Sequence, residues 1–469
     1  MVFILRKASL ALAAVLVSLV SAAPPIPAAL HDRGTTLRPS DDPFYHVPEG
    51  LEEIAPGAVL KHRPPPAKIA AFGFDPLNLD ATYQILYRTT DSLGNATATV
   101  LTVLVPHNAD MSKVLSYQVA EDAAYINCAP SYAFQFQHAT GPDKGTMTTE
   151  SELLLIEGAL EQGWVVIAPD FLGPNAAFLA NKLAGHSVLD GIRAAINSNS
   201  FTGISKNPTV TMWGYSGGSV ASMWAAELQP SYAPEIAIAG AAVGGSVPNI
   251  TTVVTSINGK AHAGLIPTGI VGLMNQYAEL GPVVKQHLLP QYRDQFFSVR
   301  SQCLDADSKR FENQDIISMF DDRDLVYTNP TAIRIMTENA LGRGDTPKIP
   351  MFVYKSVADE ISPVGETDAL VARYCSNGAT IQYQRDQKSD HSSLAILAAP
   401  KALQWLKETM GGAPRRGCST KTVFSSILDL AALQVLPKFL LDALLDLLGK
   451  PVGPLVAQVR LMLNLGIGR

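Results

Sequence analysis

Residues 208–228 read Pro-Thr-Val-Thr-Met-Trp-Gly-Tyr-Ser-Gly-Gly-Ser-Val-Ala-Ser-Met-Trp-Ala-Ala-Glu-Leu. A β-branched run over 209–213 leads into Gly214, Tyr215, Ser216, Gly217 and Gly218, and an alanine-rich helical run follows. This is Gly-x-Ser-x-Gly between a strand and a helix. The bare pattern arises by chance about 0.2 times in a chain this long, so the flanking strand and helix carry the signal. The turn needs glycines because the backbone crowds itself where strand reverses into helix. It lifts Ser216 above a sheet edge and aims the first helical N–H groups at whatever that serine attacks.

Other runs extend the same rhythm. Strands are predicted at 83–89, 98–105, 114–119, 164–169, 235–242, 349–356 and 380–384, and helices at 150–162, 186–197 and 393–410. Strands alternating with helices predict an α/β fold, a mostly parallel sheet covered on both faces. From 246 to 344 the rhythm stops, and helical patches at 270–280, 283–289 and 331–341 predict an inserted helical cap. The α/β core is thus read as 81–245 and 345–418, preceded by a proline-rich segment, 23–80, that wraps the surface. In the leucine-rich tail, 419–469, Lys438, Asp442, Asp446 and Lys450 fall at four-residue steps, the polar stripe of an amphipathic helix. Such a face packs on the host domain or meets lipid or a partner.

With 42 acidic and 36 basic residues and a net charge of −6, the chain has no dense basic run, which argues against nucleic acid as a partner. Arg6 and Lys7 precede an apolar run over 8–20, and Val20-Ser21-Ala22 reads as a cleavage site. Residues 1–22 are therefore predicted to be a signal peptide, too short in its apolar part for a membrane span, and the protein to be secreted. Cys128, Cys303, Cys375 and Cys418 suit that compartment as two disulfides with three pairings open. Their spacing matches no zinc motif. Asn95-Ala-Thr and Asn249-Ile-Thr are glycosylation acceptor patterns.

A serine hydroxyl attacks only when a base takes its proton, and a carboxylate usually orients that base. Around a turn of this kind the acid and then the histidine follow the serine along the chain. Three histidines follow Ser216: His262 and His287 within the cap, and His391 in a polar loop between the last strand and last long helix. His391 is therefore the expected base. Asp359 is the first carboxylate past the strand 349–356 and the expected acid, with Glu360 its near rival and Asp368 and Asp390 further ones. Two donors must meet the developing oxyanion: the N–H of Gly217, and a group near Asp122 in the loop after the third strand.

Around these residues the sequence resembles the fungal secretory lipases of the lipase A type. The likeness rests on Gly-Tyr-Ser-Gly-Gly, on Asp41-Asp42-Pro43-Phe44-Tyr45, and on the block from Ser116 to Tyr132 with Glu121-Asp122-Ala123 and Cys128-Ala129-Pro130. It also rests on Leu189-Asp190-Gly191, Ser231-Tyr232-Ala233-Pro234, Ala358-Asp359-Glu360-Ile361 and the segment around His391. The resemblance implies an α/β-hydrolase fold with a helical cap. It implies a triad of Ser216, Asp359 and His391, an oxyanion hole of Asp122 and Gly217, and disulfides Cys128–Cys303 and Cys375–Cys418. It implies hydrolysis of acylglycerols and other carboxylic esters. Such a reaction is expected to need no cofactor or metal, its partner is expected to be an ester or lipid substrate at a lipid–water interface, and the protein is expected to be a monomer. An esterase of an acylated secondary metabolite is the alternative on the same fold, since fold does not set substrate. A catalytically dead binding protein is the third reading.

Overall fold

In the computed structural model, residues 36–70, 76–135, 146–428 and 450–454 are described. The expected signal peptide 1–22 and the amphipathic stretch up to 449 lie outside the described residues.

Ten strands form one sheet among the described residues: β1 (Val59–Arg63), β2 (Ala81–Thr90), β3 (Ala96–Val105), β4 (Asp110–Gln118), β5 (Trp164–Pro169), β6 (Thr209–Tyr215), β7 (Ile238–Gly244), β8 (Met351–Ser356), β9 (Ile381–Asp386) and β10 (Cys418–Val423). Their spatial order is β1-β2-β3-β5-β4-β6-β7-β8-β9-β10. The pairs from β1 to β3, and β3 with β5, are antiparallel; from β5 to β10 every pair is parallel.

The parallel strands β5 and β8 are buried along their whole length, as near-continuous apolar runs must be when helices cover both faces. Alternation assigns their side chains. Val165 and Ile167 of β5 join one core with the helices Asn181–Asn197 and Gly217–Tyr232. Val166 and Ala168 join the other, with Leu153–Leu160 and Ala399–Met410. Between β7 and β8 lie the helices Ile250–Ile257, Leu265–Gln276, Leu280–His287, Leu304–Phe311 and Pro330–Glu338. They build a third core around Ile266, Leu273, Phe296, Phe311 and Ile335.

Several boundaries differ from the sequence reading. The sheet begins at β1, inside the segment 23–80 read as a surface wrap, because Val59–Arg63 pairs antiparallel with β2 despite its two exposed basic residues. The sheet also runs past 418: the polar Cys418–Val423 pairs in parallel with β9 as an exposed edge strand. The helix expected over 393–410 is two, His391–Leu397 and Ala399–Met410, with Pro400 in the first turn of the second. Proline has no N–H to continue the first helix and suits the start of a new one. The strand expected at 235–242 is displaced to Ile238–Gly244.

Two disulfides brace this plan. Cys128–Cys303, with Cα atoms 5.6 Å apart, joins the loop after β4 to the helical insertion. Cys375–Cys418, at 6.0 Å, ties the helix Val364–Ser376 to the edge strand β10. By loop-closure entropy alone the two would stabilise by about 5 and about 4 kcal/mol, a difference too small to separate them. Their positions do separate them. Cys128→Ser/Cys303→Ser should lose most of the hydrolytic activity expected of Ser216 while Cys375→Ser/Cys418→Ser mainly lowers Tm; equal losses of activity in melting-matched samples would count against a working link between insertion and sheet.

Candidate active site

Asp122, Ser216, Asp359 and His391 all sit in loops or helix starts just past the carboxyl ends of parallel strands β4, β6, β8 and β9. An open α/β sheet gathers its functional groups along that edge. Ser216 has φ 51° and ψ −120°, a left-handed strain that a serine holds only when its surroundings fix it. They do so by contact. A Cβ on Gly218 would lie 1.9 Å from the carbonyl oxygen of Gln118, so the helix start can close on β4 only with glycine there.

His391 is the first residue of the helix His391–Leu397, which Asp390 and Ser393 cap reciprocally. Its Nε2 lies 2.8 Å from Ser216 Oγ, and its Nδ1 lies 2.7 Å from Asp359 Oδ2. The Tyr215 hydroxyl donates to the His391 carbonyl. Asp359 Oδ1 accepts the N–H groups of Ile361 and Ser362 at 3.0 and 2.8 Å. Burial would raise the Asp359 carboxyl, but the hydrogen bond and charge of His391, then the ammonium of Lys355, outweigh it and hold the group at about 2.

The rival carboxylates have other partners. Glu360 Oε2 accepts the backbone N–H of His391 at 2.9 Å, and its Oε1 lies 3.6 Å from His262 Nε2, so it holds the main chain and not the ring of His391. Asp368 accepts from the Tyr383 hydroxyl at 2.8 Å, and Asp390 caps its helix. His287 pairs with Asp321 at 2.8 Å, within the insertion.

Asp122 faces the serine from the loop after β4. Its backbone is left-handed, with φ 42°. A Cβ on Gly217 would lie 1.9 Å from Asp122 Oδ1, so the carboxyl occupies the space beside that glycine. Oδ1 is buried with no hydrogen-bond partner. Burial raises this carboxyl to about 6, partly offset by His391. Below that pH it carries a proton and can donate. The loop is held from beneath by Glu152, which accepts from the Ala120 N–H and the Tyr117 hydroxyl, each at 2.8 Å.

Two cavities meet at Ser216. One, about 70 Å³, is narrow and lined by apolar side chains such as Phe178, Val220, Val254, Ile270 and Leu273; it leads into the core of the insertion. The other, about 530 Å³, is more open and has His262, Asp305, Ser308, Lys309 and Ser392 on its walls. A third cavity, around Tyr327, Arg343 and Arg373, touches none of these groups except through Asn249 at its rim, and Asn249 caps the helix Ile250–Ile257. Asn95 lies exposed in the turn between β2 and β3. Sequence reasoning passed over Lys355. Its signal was available: a lysine in the buried run Met351–Ser356, four residues before the acid.

The family model described as secretory lipase matches residues 138–417. Lipase A of Arthroderma benhamiae is 51% identical over 421 residues, covering 89% of this chain and 90% of that protein. The trichothecene C-3 esterase of Fusarium sporotrichioides is 34% identical over 392 residues, covering 79% and 84%. The structure of Candida antarctica lipase A in its closed state superposes with a TM-score of 0.78 at 29% identity, over 89% of this chain and 99% of that one. The fold, the named relatives and the matched family model agree: this chain is an ester hydrolase of the α/β-hydrolase type and belongs to the secretory lipase family.

Proposed function

We propose that the protein is a secreted triacylglycerol lipase that works through an acyl-enzyme on Ser216. One observation carries the reading: the hydrogen-bonded line Ser216–His391–Asp359 opens onto a narrow apolar pocket. His391 Nε2 takes the hydroxyl proton as Ser216 Oγ attacks the ester carbonyl, and returns it to the leaving alcohol. Asp359, ionised, keeps the ring oriented and stabilises the imidazolium. A water then attacks the acyl-enzyme by the same path. Gly217 N–H and the protonated Asp122 carboxyl receive the oxyanion. The apolar pocket takes the acyl chain and the open cleft takes the alcohol. The helical insertion 246–344 acts as the lid over both, and residues 1–22 direct secretion.

The likeness to a trichothecene C-3 esterase favours a second substrate reading. A trichothecene C-3 esterase acts on an ester of a small molecule, and this chain is similar to it over most of both lengths. The walls of the open cleft, with Lys309, Asp305 and Ser308, would suit a hydroxylated alcohol as well as a glyceride.

Ser216→Ala should lose on the order of 10⁶-fold in kcat and all labelling by a fluorophosphonate; a labelled variant would remove Ser216 as nucleophile. An ester series from acetyl to long acyl, soluble and emulsified, separates the substrates: rates that climb with chain length and on emulsions support the lipase, whereas a preference for acetyl esters of small alcohols sinks it. Asp122 predicts a pH dependence. As pH rises through about 6 its carboxyl ionises and opposes the oxyanion, so kcat should fall there. Asp122→Asn, neutral throughout, should be slower by up to about 10²–10³-fold yet flat across that range. A variant that keeps the fall near pH 6 would exclude Asp122 as its source.

A further inference from the structure

Lys355 stands in β8, where its side chain is wholly buried, as is that of Asp359 four residues on. Its Nζ lies 2.8 Å from Asp359 Oδ2 and 2.8 Å from the carbonyl oxygen of Ser246, in the loop after β7. Asp359 Oδ2 is the atom that also accepts from His391 Nδ1. With two backbone N–H groups on Oδ1, the carboxylate has four donors around it. A charge this deep is tolerated only when paired and hydrogen-bonded. Lys355 therefore makes its ion pair with Asp359 and has a main-chain anchor on the neighbouring strand's loop.

We propose that Lys355 is a positioning residue for His391: its ammonium clamps Asp359 between β7 and β8, and its charge opposes a second proton on the imidazole. The inference rests on the Ser216–His391–Asp359 reading above. Around His391 stand Asp359 at the ring, Asp122 across the site, Glu360 at its main-chain N–H, Asp390 before it in sequence and the Tyr215 hydroxyl at its carbonyl. His262, from the insertion, faces Glu360. Lys355 itself faces Asp359 and Glu360. The carboxylates all favour an imidazolium, and Lys355 is the buried cation set against them. The reaction needs that opposition.

The test is kinetic. For a soluble short-chain ester, folded Lys355→Met should lose on the order of 10- to 100-fold in kcat with KM changed by less than about 2-fold. The acid limb of kcat/KM should move up by about one pH unit or more. Lys355→Gln keeps a donor to Asp359 without the charge, so it should recover part of kcat and show the same moved limb. A folded Lys355→Met with its acid limb where the unaltered enzyme has it overturns the proposal. Should Lys355→Met fail to fold, having left Asp359 charged and alone, Lys355→Met/Asp359→Asn removes both charges. Its rate of phosphonylation at Ser216 should then match that of Asp359→Asn within about 2-fold, and a further loss of about 10-fold overturns the proposal too. Activity surviving in Ser216→Ala would instead remove the triad reading, and this inference with it, an outcome distinct from any of the lysine results.

Discussion

The closeness of one backbone to another at the end of β6 governs the rest of this molecule. Gly218 sits against the Gln118 carbonyl of β4, and Gly217 against the Asp122 carboxyl. Strand and helix can reverse direction there only with no side chain between them. That crossing forces Ser216 into its strained conformation and lifts its hydroxyl clear of the sheet. It also brings the loop after β4 within reach, so Ser216 and Asp122 are positioned by the same pair of contacts. A site made this way is rigid because the packing beneath it is, and it does not depend on the loops' own preferences.

Burial then gives each carboxyl around the turn a different task. Asp359 is buried among donors, and they hold it ionised. Asp122 is buried without one on Oδ1, and holds its proton to about 6. Glu152 and Asp170, deeper, are raised to about 8 and about 7 by desolvation, although each accepts hydrogen bonds from the loops they support. The same side-chain chemistry thus supplies a fixed anion, a neutral donor and structural acceptors, separated by the hydrogen bonds that burial leaves to each.

How much of this the residues announced depends on whether the signal was local. Strand–turn–helix around Ser216 is local, and so is a carboxylate just past β8 or a histidine just past β9; chain order then separates His391 from His262 and His287. The α/β rhythm was readable for the same reason, since strands buried on both faces must be apolar throughout. The edges were not. Val59–Arg63 and Cys418–Val423 are strands because a neighbour offers a ladder; the first is only half-buried and the second almost wholly exposed, so neither carries a strong apolar pattern. The choice between Asp359 and Glu360 turns on a single residue of loop geometry: one carboxyl reaches the ring of His391 and the other its main chain. Asp359 lies only four residues beyond Lys355, but the anchor of Lys355 on the Ser246 carbonyl is legible only from the pairing of β7 with β8.

The helical insertion has two roles in the architecture, and they pull in different directions. Its apolar side chains are needed to close a core of its own, yet Val254, Ile270 and Leu273 are also the walls of the pocket that begins at Ser216. Under the reading proposed above, an acyl chain entering there would replace contacts that the insertion otherwise makes with itself. Its one disulfide to the loops of the sheet among the described residues, Cys128–Cys303, packs with Ala123 beside Asp122, on the Ser216 side of the insertion. The glycine contacts beside Ser216, to Gln118 and Asp122, involve no residue of the insertion, whose side chains form part of the wall of the adjoining pocket.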